Sequence, residues 1–389
     1  MKKILVLITI LITLTGCYNY RELNDLAIMS AISISKSDDK YNVVVQVVNP
    51  KKEQDTSGSN EPDFITFKSS DKSLHEAFRL IIKESPKKIY GTQMQILLLD
   101  ENVAKSNISE ILDFFARDPE FRNEFYVLIS KDEELLKVLT PLDNISSQNI
   151  LDSLKANNRY LGYANLVTFN DLIASYQNDR IELALPSVYK TGNEETGSKE
   201  ENLETSELDS SIYIGSLGIF KDNKLVGYLT EKESLAYNLV MNNVTNALIT
   251  NKYKDDKYIV TELIKTKTQL EPVAKDNKIK IKVTGKSSIT EVNYKDLDLK
   301  KEKNIKKIEK DLNKNIEKLI KTSIKNILEK YKSDIFGFED LFYKENNKYY
   351  KKIKDDWDSK ILKNLKIEVD SKIEIVEQGN ILGGIKNEQ

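Results

Sequence analysis

The residue whose surroundings most clearly specify a chemical reaction is Cys17, the only cysteine of the chain. Lys2 and Lys3 open the sequence, and an apolar run follows over residues 4–14. A positively charged start, a short apolar run and small residues before a cysteine are typical of the export signal of bacterial lipoproteins. The signal-cleavage motif consists of Leu14, Thr15 and Gly16. The pattern predicts cleavage before Cys17 and attachment of diacylglycerol to its sulfur.

This prediction divides the beginning of the chain into a signal peptide, residues 1–16, and a lipidated tether, residues 17–21. The apolar run is shorter than the ~20 residues that a membrane-spanning helix needs. Each buried methylene of an acyl chain contributes ~0.8 kcal/mol to membrane binding. We therefore expect an extracytoplasmic protein that lipid holds on a membrane. A cleaved signal with a coincidental cysteine and an uncleaved N-terminal anchor are the alternatives.

Side chains for catalysis or metal binding are scarce in the rest of the chain. His75 is the only histidine, so a Ser/His/Asp triad would depend on it. It adjoins the apolar positions of a predicted helix, which favours a structural role. A zinc site lacks histidine and cysteine ligands, and the 14 glycines form no phosphate-binding loop. We expect no enzyme activity, no catalytic or metal-binding residue, and no cofactor other than the covalent lipid on Cys17.

Composition bounds the class of protein further. The chain has 389 residues, of which 40% are hydrophobic, and this is enough for two or three domains with their own cores. Its net charge of −2 is close to neutral. Nucleic-acid-binding proteins usually carry a strong excess of basic residues, so we expect no nucleic acid among the partners.

Changes in sequence pattern divide the mature chain into regions. Alternating strand and helix patterns predict an α/β-patterned N-terminal domain over residues 22–189. Residues 190–211 are acidic and have few apolar side chains, which predicts a mobile linker or loop. Residues 212–380 predict an α+β region of one or two subdomains, and residues 381–389 form a tail.

The C-terminal region contains two strong local patterns. A strand over residues 212–220, a turn over residues 221–224 and a returning strand over residues 225–229 predict a hairpin, because Asp and Asn tolerate left-handed turn geometry. Over residues 304–331, nine apolar residues recur at helical spacing opposite lysines and glutamates. This predicts a long helix packed on the sheet of its own domain, with a coiled coil as the alternative. Together the patterns predict an α+β fold with about three small domains of mixed or antiparallel sheets and packed helices.

Several short segments carry a resemblance to a known family. They read CYNYRELNDLA at residues 17–27, KIYG at 88–91, QILLLDENVA at 95–104, RDPEFR at 117–122, GIFKDNKLVG at 218–227, DIFGF at 334–338 and DW at 356–357. In their order and spacing they resemble the Ger(x)C lipoproteins, the C subunits of spore nutrient germinant receptors. Departures from the family pattern occur at Tyr18, Asn19, Ser35, Thr92 and Glu339. The resemblance covers nearly the whole mature chain.

The resemblance implies assembly with the membrane A and B subunits of such a receptor, on the outer face of the spore inner membrane. It also implies a function in nutrient-triggered germination and an α+β fold with about three small domains. The candidate partner interface comprises Tyr20, Arg21, Glu22 and Asp25. A plain tether is the alternative for these residues. The aromatic residues of the 334–338 segment and Trp357 are expected to pack in a core.

A lipid-anchored solute-binding protein is the alternative function. Such a protein should have two α/β lobes and a cleft at the strand ends. The second half of this chain instead predicts lysine-rich strands of antiparallel type. A lipid-anchored hydrolase is the third hypothesis, and the chain lacks the side chains that it would need.

Overall fold

The computed structural model describes residues 22, 25–49, 63–132, 135–140, 145–199, 202–253, 256–294 and 297–377. The signal-cleavage motif, Cys17, Tyr20, Arg21 and the predicted tail lie outside these ranges. None of the helices within them has the length and hydropathy that crossing a bilayer requires.

The N-terminal half of the protein is organised around one mixed β-sheet. The first nine strands are β1 (Leu26–Ser37), β2 (Lys40–Val48), β3 (Phe64–Asp71), β4 (Lys88–Tyr90), β5 (Ile96–Asp100), β6 (Tyr126–Ser130), β7 (Ala184–Leu185), β8 (Ser187–Gly192) and β9 (Ser210–Ile214). All except β7 form this sheet, in the order β3-β2-β1-β5-β6-β8-β9 with β4 beside the start of β1. The central strands β1, β5, β6 and β8 are parallel, whereas β2, β3 and β9 pair antiparallel. Asp38 and Asp39, at φ 49° and 57°, form the tight turn between β1 and β2.

Helices cover both faces of this sheet. They are α1 (Leu74–Leu80), α2 (Glu101–Ser106), α3 (Ser109–Arg117), α4 (Ser146–Tyr160), α5 (Phe169–Tyr176) and the short α6 (Glu194–Gly197). Successive side chains of β5 alternate between the two faces. Ile96 and Leu98 share a core with α4, whereas Leu97 and Leu99 share a core with α3. Burial on both faces explains the continuous apolar run of this strand.

The acidic stretch predicted as a mobile linker differs from the structure, because both of its ends are built into the sheet and a residue between them is buried. Residues 190–192 belong to β8 and residues 210–211 belong to β9, and the two strands pair antiparallel. The side chain of Asn202 is completely buried, and its Nδ2 donates to the carbonyls of Leu139 at 2.9 Å and Ser210 at 3.1 Å. These tertiary contacts outweigh the low hydrophobicity on which the linker prediction was based.

A small second sheet joins the two halves of the protein. Its strands are β7, β10 (Gly218–Lys221) and β11 (Lys224–Tyr228), in the order β11-β10-β7. The predicted hairpin turn is confirmed, with Asp222 and Asn223 at φ 51° and 62°. The predicted continuous strand over residues 212–220 is wrong, because it divides into β9 and β10. The strands separate after Gly215, whose N–H donates to the Ser187 carbonyl at 2.7 Å. This is the last backbone–backbone hydrogen bond between the β9 segment and β8.

The C-terminal part is built on a sheet of long strands, in the order β12-β13-β14-β15. Its elements are α7 (Glu231–Val240), β12 (Ala247–Lys252), β13 (Tyr258–Val273), β14 (Lys278–Asn293), α8 (Glu302–Tyr331), α9 (Phe338–Glu345), α10 (Asn347–Ile353) and β15 (Lys366–Glu377). The long helix predicted near residues 304–331 is α8. Its residues Leu312 and Ile316 share a core with Ile281 and Ile373 of the sheet. The predicted packing of this helix on its own domain is therefore confirmed, as is the α+β class.

Candidate interaction site

The first strand of the main sheet follows the predicted tether, residues 17–21, closely in the sequence. Glu22 and Asp25 are exposed, and the Asp25 N–H donates to the Glu22 carbonyl at 3.1 Å. The next residue begins β1, and the first three residues of β1 pair with β4. Lys88, the first residue of β4, forms an ion pair with Glu120. These charged side chains mark the end of the sheet that lies nearest in sequence to residues 17–21.

The single histidine has a packing contact. His75 lies on the exposed side of α1, and its ring centroid is 5.9 Å from that of Phe114. Across the part of the chain that the structure describes, no three His, Cys, Asp or Glu side chains gather as metal ligands would. The ring contact with Phe114 is consistent with the structural role predicted for His75.

The aromatic residues of the C-terminal motif are core residues, as predicted. Phe336 stacks on Phe338 with 5.1 Å between ring centroids. Trp357 meets Phe342 edge to face at 5.9 Å. All four are at least 97% buried, since Trp357 is the most exposed of them at 3%. This cluster holds α9 in the C-terminal core.

Asp334 fixes the start of α9 from a buried position. Its carboxylate accepts the N–H groups of Phe338 at 3.1 Å and Glu339 at 2.8 Å. Its backbone carbonyl accepts the N–H of Glu182 at 3.1 Å. Burial raises the pKa of Asp334 to about 7, although the two N–H donors act in the opposite direction. Asp334 thus connects α9 with the segment that precedes β7 in the N-terminal half.

Ion pairs extend this connection. Lys221 of the β10–β11 hairpin lies 3.3 Å from Glu182 and 3.0 Å from Asp358. Arg180 lies 3.2 Å from Asp340 on α9. Burial raises the pKa of Glu182, against the effect of its hydrogen bonds and of Lys221. These contacts fasten the hairpin and α9 to the N-terminal half of the chain.

A cleft of about 710 Å³ is lined by α4, by the β8–β9 pair and by the end of β11. Tyr189 and Tyr213 lie opposite each other on β8 and β9 and stack with 5.8 Å between centroids. The ammonium of Lys131 lies 4.1 Å from the ring centroid of Tyr228 and 5.7 Å from that of Tyr189. The Tyr228 hydroxyl donates to Glu101 at 3.0 Å, and burial together with this carboxylate raises the pKa of Tyr228. Such tyrosine faces suit the binding of a partner, because they combine apolar area with a polar group.

Sequence reasoning missed this tyrosine cleft, because its walls come from separate parts of the chain. Its lining residues lie at positions 131, 153–163, 189, 212–216 and 228–231. The chain has 19 tyrosines, and their number alone does not indicate which of them meet. The predicted interface at Glu22 and Asp25 is a different part of the surface.

Comparison with known protein families assigns both halves of the chain. Residues 19–190 match the family model of the spore germination protein N-terminal domain. Residues 216–379 match the family model described as spore germination B3/GerAC like, C-terminal. The chain belongs to the GerAC-like spore germination family. The resemblance predicted from the short segments is therefore confirmed.

Relatives of similar length support this membership. The GerAC-like chain is 27% identical to spore germination protein KC of Bacillus subtilis (strain 168) over 389 residues, which covers 97% of this chain and 95% of the relative. It is 24% identical to spore germination protein B3 of the same organism over 390 residues, with 97% and 98% covered. The crystal structure of the GerBC protein shares the fold, with a TM-score of 0.53, 20% identity, and 89% and 96% of the two chains covered. The protein accordingly has a role in spore germination.

The two GerAC-like matches meet at the tyrosine cleft. Tyr189 lies at the end of the N-terminal match, and Tyr228 lies near the start of the C-terminal match. β9, which carries Tyr213, lies between the two matched regions. The cleft is therefore formed where both family domains come together.

Proposed function

We propose that this protein is the non-catalytic lipoprotein subunit of a spore nutrient germinant receptor. It assembles with the membrane A and B subunits and is required for nutrient-triggered germination. Lipid on Cys17 holds it on the outer face of the spore inner membrane. The observation that supports this proposal is the match of both GerAC-like domains, in a chain whose first residues have the pattern predicted for a lipoprotein signal.

The length of the tether limits where the folded part can stand. Eight residues lead from Cys17 to Asp25, and a fully extended segment of that length spans at most about 29 Å. The end of the main sheet that carries Glu22, Asp25, Lys88 and Glu120 therefore stays near the membrane when Cys17 is lipidated. This end is within reach of membrane subunits that project from the bilayer.

The candidate interface comprises Tyr20, Arg21, Glu22 and Asp25, of which Glu22 and Asp25 lie at this end of the main sheet. Glu22 and Asp25 are exposed, so their carboxylates remain hydrated in the free protein. Exposed charges at an interface act mainly on orientation and on the rate of association. We therefore expect substitutions there to weaken assembly without unfolding the protein.

The tyrosine cleft is the observation that favours the alternative, a lipid-anchored solute-binding protein, because its volume of about 710 Å³ is typical of small-molecule sites. The two functions differ in what the protein binds in spores. A receptor subunit is recovered with membrane subunits, whereas a solute-binding protein retains a small molecule.

Variants at the tether test the proposal. Cys17→Ala should abolish metabolic lipid labelling and release the protein from membranes. The double variant Glu22→Gln, Asp25→Asn should keep the label but recover less of the membrane subunits. The matched control Asp38→Asn, Asp39→Asn removes two charges at the opposite end of β1, where Asn tolerates the positive φ. Persistent labelling of Cys17→Ala contradicts the anchor, and equal recovery from the two double variants contradicts the interface.

A further inference from the structure

β9 is an edge strand of the main sheet, and its outward backbone positions can be identified. The Gly215 N–H donates to the Ser187 carbonyl, whereas the Lys131 N–H donates to the Val188 carbonyl from the other side of β8 at 3.1 Å. Because antiparallel pairs alternate between bonded and non-bonded positions, every second residue of β9 directs its N–H and C=O away from β8. These outward residues are Ser210, Ile212 and Ile214.

Asn202 closes the first of the three outward positions. Its Nδ2 donates to the Ser210 carbonyl at 3.1 Å, and its Oδ1 accepts the Ser210 N–H at 3.1 Å. A neighbouring strand would make the same two bonds. Within the ranges that the structure describes, the backbone groups of Ile212 and Ile214 have no comparable partner. The open part of the edge begins where the contact of Asn202 ends.

The open edge faces the tyrosine cleft. Ile212 and Ile214 both line it. Beside them, Tyr160, Leu161 and Tyr213 are 54%, 41% and 48% exposed. An edge strand next to exposed apolar side chains is a surface on which another strand can pair, and proteins normally cover or charge such edges. Here both the backbone groups and the apolar walls are available to an occupant.

Lys131 indicates the charge of that occupant. Its ammonium is exposed and lies over the ring of Tyr228. It forms no ion pair with a carboxylate of the described residues, although Glu101 lies close enough to interact with it electrostatically. A carboxylate on the occupant would give this cation a charge-assisted partner.

We propose that β9 receives an extended strand from a membrane subunit of the receptor. The strand pairs with the backbone of Ile212 and Ile214 and presents a carboxylate to Lys131. This inference rests on the proposed function, because the strand belongs to a receptor subunit. In strand addition, main-chain hydrogen bonds provide affinity and alternate side chains provide specificity. A small solute would fill the cleft and leave the edge unpaired, whereas a strand uses both features.

A proline at an outward edge position blocks strand addition without removing a hydrogen bond of the protein's own sheet. In the full-length protein, Ile212→Pro should lower the recovery of membrane subunits from solubilised spore membranes by about tenfold, or about 1.4 kcal/mol. Leu248→Pro on β12 is the matched control. The Tyr253 N–H donates to the Lys257 carbonyl at 2.7 Å. By the same alternation, the backbone N–H and C=O of Leu248 point away from β13, at the edge of the C-terminal sheet. This control should recover the membrane subunits as the natural protein does.

Crosslinking keeps the test decisive if Ile212→Pro does not fold. Tyr213→Cys places a thiol in the cleft of a protein whose single natural cysteine carries lipid. Labelled with a benzophenone maleimide in spore membranes and irradiated, it should form an adduct with a receptor membrane subunit, identified by mass spectrometry. Leu248 is 50% exposed in the natural chain, and a Leu248→Cys protein treated in the same way should form no such adduct. Adducts with a second copy of this chain, adducts within the chain, or equal adducts from both variants would overturn the proposal.

The outcomes separate this inference from the proposed function. If the natural protein recovers no membrane subunit, receptor assembly and strand addition are both wrong. If it recovers them, a folded Ile212→Pro protein that recovers the same amount shows that strand addition alone is wrong. Retention of a small molecule by the natural protein and its loss in Tyr213→Cys would likewise assign the cleft to a solute.

Discussion

The side-chain amide of Asn202 pairs with both backbone groups of Ser210, so one side chain takes the place of a neighbouring strand at the start of β9. A third bond joins Asn202 to the carbonyl of Leu139 at 2.9 Å. Asn202 is 0% exposed, and its two bonds with Ser210 are buried, whereas its bond with Leu139 is partly buried. This residue both orders the β8–β9 connection and limits the open edge to its second half.

Asn202→Ala should lower the free energy of unfolding by about 1–3 kcal/mol, because it leaves buried donors and acceptors without partners. Urea denaturation of the soluble fragment, residues 18–389, measures this change. Asn347→Ala is the control, since Asn347 is exposed on α10, and it should stay within about 0.5 kcal/mol of the parent. Equal midpoints for the two variants would contradict the role assigned to Asn202.

Asn202 also illustrates why the acidic connection was not predicted correctly from sequence. Its partner Leu139 is 63 residues away, and composition within a local window contains no information about such a contact. α8 is the opposite case. Its apolar residues repeat at the helical period within one continuous segment, so both its existence and its buried side followed from sequence.

The candidate sites follow the same division. Cys17 could be predicted as a lipidation site because an export signal is a contiguous sequence pattern, and this stays a prediction. The tyrosine cleft could not be predicted, because Tyr228 and Glu101, which share a hydrogen bond, are 127 residues apart. The split between β9 and β10 likewise depends on Ser187, which is distant in sequence. The sequence pattern of residues 212–220 continues across the split and therefore does not indicate it.

The burial of Asp334 predicts a dependence of stability on pH. Its pKa is about 7 in the folded protein and has the ordinary value of 3.8 in an exposed carboxyl. The folded state therefore holds this proton more tightly than the unfolded state does. Its contribution to stability is complete below about pH 4 and is lost as the pH rises through about 7. Glu182 and Glu339, whose pKa values burial also raises, contribute with the same sign.

Asp334→Asn should reduce the loss of stability between pH 5 and pH 8, since an amide does not titrate in this range. Urea unfolding at both pH values measures the change for each protein. Asp355→Asn serves as the control, because the Asp355 side chain is 90% exposed, and it should keep the parental pH dependence. A parental pH dependence in Asp334→Asn would contradict the assignment.

The buried side of α8 predicts a large difference between neighbouring positions. Leu312 is 0% exposed, and Leu312→Ala should cost about 2–5 kcal/mol, through lost burial and the cavity left behind. Lys314 is exposed on the same helix, and Lys314→Ala should change stability by at most about 0.5 kcal/mol. Thermal melts of the same fragment compare them. If Leu312→Ala melts like the parent yet fails to assemble with the receptor, the apolar side of α8 is an interface.

His75→Gln tests the absence of catalysis that we propose. The imidazole contacts Phe114 at its edge, and glutamine keeps a polar group at this exposed position. We expect spores that carry this variant to germinate in response to nutrient at the parental rate. A lipid-labelled, folded His75→Gln protein that abolishes germination would show that the imidazole has a chemical role.

Affinity purification of the full-length protein from detergent-solubilised spore membranes, with quantitative mass spectrometry, tests receptor membership most directly. We expect the A and B membrane subunits to be recovered with the natural protein, and to be depleted when Cys17→Ala removes the lipid anchor. Recovery of the protein without either membrane subunit, from spores that germinate normally in response to nutrient, would contradict its assignment as a receptor subunit.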